Sequence, residues 1–270
     1  MEAARVAAAR GHEVTIFEKN PKLGGLLPLA TLVKGMAVED IPALIRYFEI
    51  QLSKLDVKVR LGKEFNFSAI DEIKPDVVIL ATGGIPDMPR IPGIEGKNVI
   101  SVADMHRKVK FYLNLFGPMT LGWLTKLWMP VGKNVVIIGG DMQGCELAEF
   151  LVKRGRKVTI TETSKILGET IPSTNRAHIL PWLEQKGVKM LTEVKYKEIT
   201  KKGLIVTTKE GKQEMLEADT ILPATPLVSD GKLLKNLKGK AAEIYSIGDC
   251  REPQLIIDAI ADGWRTARSI

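Results

Sequence analysis

Cysteine is nearly absent from this sequence: two in 270 residues, Cys145 and Cys250. They form no C-x-x-C pair and match no metal-ligand spacing. Dithiol–disulfide chemistry, and an iron–sulfur cluster held by four cysteines of this chain, are thereby excluded. Histidine is equally scarce: His12, His106 and His178 are scattered and read as ordinary surface or boundary residues. No unbroken apolar run is long enough to cross a membrane. The richest, Phe111 to Gly132, is interrupted by Asn114, Gly117, Pro118, Gly122, Lys126 and Pro130. It reads as a helical linker, with Met119, Trp123, Trp128 and Met129 as an alternative docking surface. The net charge of +7 is spread along the chain, without a basic block or interleaved aromatics. That argues against nucleic-acid binding and suits anionic nucleotides or an acidic partner. No secretory leader pattern opens the chain, so a cytoplasmic location is expected.

What is present is a duplication. "MEAARVAAARGHEVTIFEKN" at the start and "CELAEFLVKRGRKVTITETS" from Cys145 to Ser164 align without a gap at an offset of 144. Glu2 falls on Glu146, Arg10 on Arg154, Gly11 on Gly155 and Glu18 on Glu162. Each copy reads as a helix running into a strand. The second copy is preceded by "KNVVIIGGDMQG", a strand followed by a glycine turn. The first is not, so the chain is expected to start inside a nucleotide-binding unit, lacking its first strand and glycine loop.

Val135 to Ile138 is a short branched apolar run, as expected for a parallel strand buried on both faces. Gly139, Gly140, Asp141, Met142, Gln143 and Gly144 follow, then a helix from Cys145. Glycines at such positions allow a tight turn, close backbone approach to a pyrophosphate, and close helix–strand packing. The helix start offers free N–H groups and a positive dipole end. Asp141 stands where the pattern has its second glycine, and its anionic side chain conflicts with a pyrophosphate unless it points away. Glu162 ends the next strand, 23 residues beyond Gly139. A carboxylate there accepts from adenosine ribose hydroxyls and repels a 2′-phosphate. This favours NADH over NADPH. Thr163 follows it. Glu146, on the first turn of the helix, is the nearest candidate for tuning a nicotinamide.

Glu18 is the counterpart of Glu162 and is expected at the ribose of a second nucleotide. Lys19 follows it, and Gly24 and Gly25 supply a loop whose backbone can lie against phosphates. A second duplication pairs "DVVILATGGIP" with "DTILPATPLV" at an offset of 143. Each strand runs into Ala-Thr, giving Ala81, Thr82 and Gly83 in one copy and Ala224 and Thr225 in the other. Near the end, a strand from Ile244 to Ile247 gives way to Gly248 and Asp249, before a helix from about Pro253. A carboxylate placed there can bond ligand hydroxyls.

Together these residues resemble the flavoproteins with two dinucleotide-binding domains. "LTKLWMPVGKNVVIIGG" and "IGDCREPQLIIDAIADGWRTAR" are similar to the C-terminal portion of the old yellow enzyme-like NADH:flavin oxidoreductases, in their 2-enoate and 2,4-dienoyl-CoA reductase branch. The resemblance implies an α/β chain of two Rossmann-like domains, one inserted in the other. Residues 1–105 and 240–270 would form an FAD-type domain, 106–131 a helical linker, and 132–239 an NAD(P)H domain. It implies FAD contacts at Glu18, Gly24, Gly25, Ala81, Thr82, Gly83, Gly248 and Asp249. NADH contacts would fall at Gly139, Gly140, Gly144, Glu146 and Glu162. It also implies a partner, domain or subunit: a TIM barrel carrying FMN and a 4Fe-4S cluster, where the substrate reacts. The rival readings are a stand-alone NADH-dependent reductase serving a separate acceptor protein, a non-catalytic nucleotide-binding partner domain, and in either case a possible homo-oligomer.

Overall fold

A computed structural model of the chain describes residues 1–34, 40–101, 104–105, 112, 120, 125, 129 and 131–270. The expected linker over 106–131, with Trp123, Trp128 and Met119, lies almost entirely outside the described residues.

The chain divides into two units. The first comprises Met1–Pro28, Asp40–Ile85 and Leu227–Ile270; the second is drawn from Leu29–Glu39 and Pro86–Pro226. The fold is α/β, with the second unit inserted in the first. The crossings fall at Ile85/Pro86 and Pro226/Leu227 rather than near 105 and 239. Backbone pairing explains the first: Ile100 N–H donates to Ile221 O at 3.0 Å and Ile221 N–H to Asn98 O at 2.8 Å, binding 98–100 to the second unit. Leu237 explains the other, because it is fully buried in a core with Ile70, Leu80 and Cys250.

In chain order the first unit opens with α1 (Glu2–Ala9), β1 (Thr15–Glu18), α2 (Leu27–Lys34, which runs across the division), α3 (Ile41–Lys54), β2 (Lys58–Leu61), α4 (Phe67–Ile73) and β3 (Val77–Leu80). β4 (Ile85–Pro86) marks the outward crossing. The second unit continues with β5 (Asn134–Ile138), α5 (Met142–Val152), β6 (Lys157–Thr161), α6 (Ser173–Gln185), β7 (Lys189–Leu191), β8 (Lys195–Thr200), β9 (Gly203–Thr207), β10 (Gln213–Glu217) and β11 (Thr220–Pro223). The return passes through β12 (Leu227–Val228) to α7 (Lys232–Leu237), β13 (Glu243–Ser246), a short 3-10 turn (Gly248–Cys250) and α8 (Ile256–Ser269).

The second unit carries a parallel sheet in the order β11-β5-β6-β7 and an antiparallel meander β10-β9-β8. β5 is buried on both faces, as its branched apolar run dictates. Val135 and Ile137 enter a core with Cys145, Leu151, Ile160 and Leu183 from α5, β6 and α6. Val136 and Ile138 point the other way, into a core with Leu204, Val206 and Leu216 from the meander. The two-residue alternation of a strand thus feeds two cores at once. Each of these fully buried side chains contributes about 1.5–3 kcal/mol through removal of apolar surface from water.

The first unit is built differently. Its described strands form only two-stranded pairs, the parallel β1–β2 and β13–β3 and the short β12–β4 at the crossing. The duplication equates β1 with β6 and β3 with β11, and in the second unit those two strands flank β5. Among the described residues the first unit has no counterpart of β5. Burial follows: every residue of β11 is buried, whereas β1 is half-buried throughout. Ile79 still packs with Val6, Ala7 and Ala267, while Val78 and Leu80 face Ile70 and Leu237. Helices α1 and α8 lie close because Gly263 has no side chain: a Cβ there would stand 3.1 Å from the Ala3 amide nitrogen. Among the described residues no helix is long and apolar enough to cross a membrane, and no cluster of ligating side chains could hold a metal ion.

Candidate functional site

The candidate residues of each unit stand at the carboxyl ends of parallel strands, where open α/β sheets bind their ligands. In the second unit, Gly139 follows β5, Glu162 follows β6 and Ala224 follows β11. Close packing makes this turn glycine. Gly139 has a φ of +104°, and a Cβ there would meet Ala224 O at 2.6 Å. A Cβ on Gly144 would lie 1.9 Å from Gly139 O, and one on Gly140 2.5 Å from Leu167 Cδ1. Strand end, helix start and the Ala224 segment therefore touch through backbone.

The helix begins earlier than the sequence suggests. α5 starts at Met142, with Asp141 as its N-cap residue, so Met142, Gln143 and Gly144 form its first turn. Their backbone N–H groups belong to the helix end that has no intrahelical acceptor. Met142 packs partly against the core and Gln143 is exposed. Glu146, half-buried one residue beyond Cys145, sits farther along this helix.

Asp141 resolves the conflict posed by the motif. Its Oδ1 accepts from the Thr170 amide at 2.9 Å and its Oδ2 from the Thr170 hydroxyl at 2.7 Å. The carboxylate is thus committed to a neighbouring loop. Glu162 binds the turn directly: Oε2 accepts from Gly140 N–H at 2.7 Å, and Oε1 from Ser164 N–H at 2.9 Å and the Thr163 hydroxyl at 3.2 Å. Thr163 itself is exposed. Ala224 is buried, its N–H donating to Ile138 O at 2.7 Å, and the Thr225 hydroxyl donates to Asp87 O.

In the first unit, Glu18 ends β1, Ala81, Thr82 and Gly83 follow β3, and Gly248 and Asp249 follow β13. Glu18 differs from its twin. Its Oε1 accepts from the amide of Asn20 at 2.8 Å and from the Asn20 side chain at 2.5 Å. Lys19 and Gly25 are exposed, while Gly24, with a φ of +108°, lies against Ile45. Gly248 N–H donates to Asp262 Oδ2 at 2.8 Å, and Asp262, 4% exposed, pairs with Arg251 at 2.9 Å. Asp249 Oδ1 accepts from Gln254 N–H at 3.3 Å. Burial pushes the Asp249 carboxyl above its ordinary range, partly offset by that bond.

Three supporting residues carry no motif signal. Thr170 and Asp262 are ordinary in sequence and act only through contacts across loops and helices. Tyr196 reaches the glycine turn from the meander, its hydroxyl donating to Thr161 O at 3.1 Å. The two cysteines are free thiols. Both are buried, and burial pushes the Cys145 thiol up to about 12.

The model of the pyridine nucleotide-disulphide oxidoreductase family matches residues 1–263. The NADH oxidase of Thermoanaerobacter brockii is 32% identical over 271 residues, covering 100% of this chain and 39% of that protein. The cinnamate reductase of Clostridium sporogenes is 30% identical over 279 residues, covering 100% and 37%. Among solved structures, a 2-naphthoyl-CoA reductase complex superimposes with a TM-score of 0.85 at 32% identity, over 100% of this chain and 38% of that one. The chain therefore spans about two-fifths of the length of these relatives. A match over nearly every residue makes this chain a member of the pyridine nucleotide-disulphide oxidoreductase family, whose proteins bind FAD and NAD(H).

Proposed function

We propose that this chain is the electron-input module of a larger NADH-dependent flavin reductase. The observation that carries the reading is the turn between β5 and α5, with Glu162 bonded to Gly140 N–H at 2.7 Å. It supports NADH bound with its pyrophosphate at Gly139, Gly140, Met142, Gln143 and Gly144, and with an adenosine ribose against Glu162 and Thr163. Asp141 is held by Thr170, which ties its carboxylate to a neighbouring loop. Ala224 and Thr225 are assigned to the nicotinamide side, and Glu146, on α5, is the candidate for tuning it. No arginine directly follows Glu162, which favours NADH over NADPH.

FAD is assigned to the first unit, against Glu18, Lys19, Gly24, Gly25, Ala81, Thr82, Gly83, Gly248 and Asp249. The fit there is partial: strand-end carboxylates and glycines are present, but the described residues include no counterpart of the turn at Gly139–Gly144. When bound, the two cofactors supply the redox chemistry, a hydride passing from the nicotinamide to the flavin. The protein binds, orients and excludes water, and no residue here is assigned as a catalytic acid or base. The partner would be a TIM-barrel module with FMN and a 4Fe-4S cluster, to which this chain would supply reducing equivalents for reduction of an enoate or dienoyl substrate. The extra length of the relatives, two of them named as reductases of cinnamate and 2-naphthoyl-CoA, favours this assignment. The cytoplasmic NADH pool would be its source of reductant.

The test is the visible spectrum of the purified chain after incubation with FAD, desalting and addition of NADH under argon. A retained flavin band that bleaches with NADH is expected. A retained band that NADH leaves unchanged would overturn the electron-input reading. Loss of the flavin with saturable NADH binding preserved would confine the chain to nucleotide binding.

A further inference from the structure

Tyr196 belongs to none of the nucleotide-binding motifs, yet it connects the meander to the glycine turn. It lies at a bulge in β8: Tyr196 pairs with Val206 and Glu198 with Ile205, leaving Lys197 without a ladder partner. A bulge re-aims the side chains beside it. Lys197 and Glu198 are exposed, while the Tyr196 ring packs against the core that contains Val136 and Ile138 of β5.

The hydroxyl lands among strand ends. It donates to Thr161 O at 3.1 Å, and that same carbonyl accepts Gly139 N–H at 2.8 Å. The Thr161 hydroxyl in turn donates to Ile137 O at 2.9 Å. Two donors on one carbonyl fix the plane of the peptide joining Thr161 to Glu162. That plane also carries the Glu162 amide, which donates to Leu191 O at 2.8 Å. The Glu162 side chain then holds Gly140. Tyrosine suits the task because burial pushes its hydroxyl up to about 12, so it remains a donor across the physiological range.

We infer that Tyr196 is a positioning residue for the pyridine-nucleotide site, setting through the Thr161 carbonyl both the first amide of the glycine turn and the Glu162 carboxylate. The inference rests on the assignment of NADH to this turn. It places a determinant of nucleotide affinity on the meander, outside the strand–turn–helix segment that holds the motif.

Tyr196→Phe keeps the ring in its core and removes only the hydroxyl, which also lies 3.3 Å from the Thr161 hydroxyl. The readouts are NADH binding by fluorescence titration, ADP-ribose binding by calorimetry, and unliganded Tm. Loss of one buried hydrogen bond to the turn is expected to weaken NADH about three- to tenfold. ADP-ribose should weaken by the same factor, because the effect resides at pyrophosphate and ribose rather than at nicotinamide. The preference for NADH over NADPH should narrow as Glu162 loosens, a change that a general loss of stability would not produce. Wild-type protein that binds neither NADH nor ADP-ribose would overturn the nucleotide assignment itself. Wild-type binding with Tyr196→Phe within twofold of it would overturn only the role of Tyr196. If the variant does not fold, hydrogen exchange on the wild-type chain decides. ADP-ribose should then protect the peptide around Tyr196 together with the one spanning Gly139–Gly144, and protection of the turn alone would refute the coupling.

Discussion

Asp141 and Thr170 are joined by two hydrogen bonds, 2.9 Å from the amide and 2.7 Å from the hydroxyl of Thr170. An acidic residue inside the proposed pyrophosphate-binding turn is tolerable here because its carboxylate is held by a second loop. Thr170→Val removes one of the two bonds and frees the carboxylate to swing. NADH binding should weaken about threefold at low salt, the scale of an exposed charge interaction, and recover as salt screens the repulsion. Adding Asp141→Asn should restore binding without salt. Titrations of both variants at two ionic strengths check this.

Gly144 is required by contact rather than by conformation. A Cβ there would stand 1.9 Å from Gly139 O, which is backbone and cannot rotate away. Gly144→Ala should cost about 1–3 kcal/mol through overpacking of helix on strand. Gly155→Ala, in open space at a φ of +73°, carries only the penalty of a left-handed backbone. Urea unfolding of the two variants should rank them in that order.

Asp262 is a buried acceptor for Gly248 N–H and the ion-pair partner of Arg251. Asp262→Ala strands the amide and should destabilise the first unit by about 1–3 kcal/mol. The expected signature is selective: flavin retention falls while NADH affinity of the second unit holds. Limited proteolysis should cut the first unit sooner than in wild type.

Asp249 is destabilised by its own charge. Burial raises its carboxyl above the model-peptide value of 3.8 in the folded state. Between that value and the raised one the native state binds more protons than the unfolded state, so stability falls as pH rises through the window. Asp249→Asn removes this titration. Its unliganded Tm should match wild type near pH 3.5 and exceed it at pH 7, while FAD retention declines. Thermal scans across pH measure both curves.

The family name carries disulphide chemistry, whereas both thiols of this chain are buried. Cys145 is buried beneath the turn, its sulfur 3.3 Å from Gly140 O, and Cys250 lies 3.1 Å from Leu80 O. A thiol-specific chromogenic reagent at pH 8 should find no fast-reacting group in the folded protein and two after unfolding in guanidinium. One rapid thiol in the native state would refute this.

The duplication, the branched strand Val135–Ile138, the glycine turn and the acids ending β1 and β6 were legible in the sequence, because each is a local pattern of spacing and residue type. So was the presence of two nucleotide-binding units, since a repeat at a near-constant offset survives without any knowledge of contacts. The start of α5 at Met142 was less legible. A glycine at position 144 reads as loop until its close approach to the Gly139 carbonyl is seen. The direction of Asp141 was undecidable from sequence, because Thr170 lies 29 positions away and nothing local marks it as an acceptor's partner. Asp262 and Tyr196 were invisible for the same reason: one acts from a helix and the other from a bulged strand. The unit crossings at Ile85 and Pro226 also depended on tertiary structure, through the pairing of 98–100 with β11 and the burial of Leu237. Sequence determined which strands, turns and charges exist; only the packed structure decided which polar atoms meet, because hydrogen bonds between distant segments depend on register and burial.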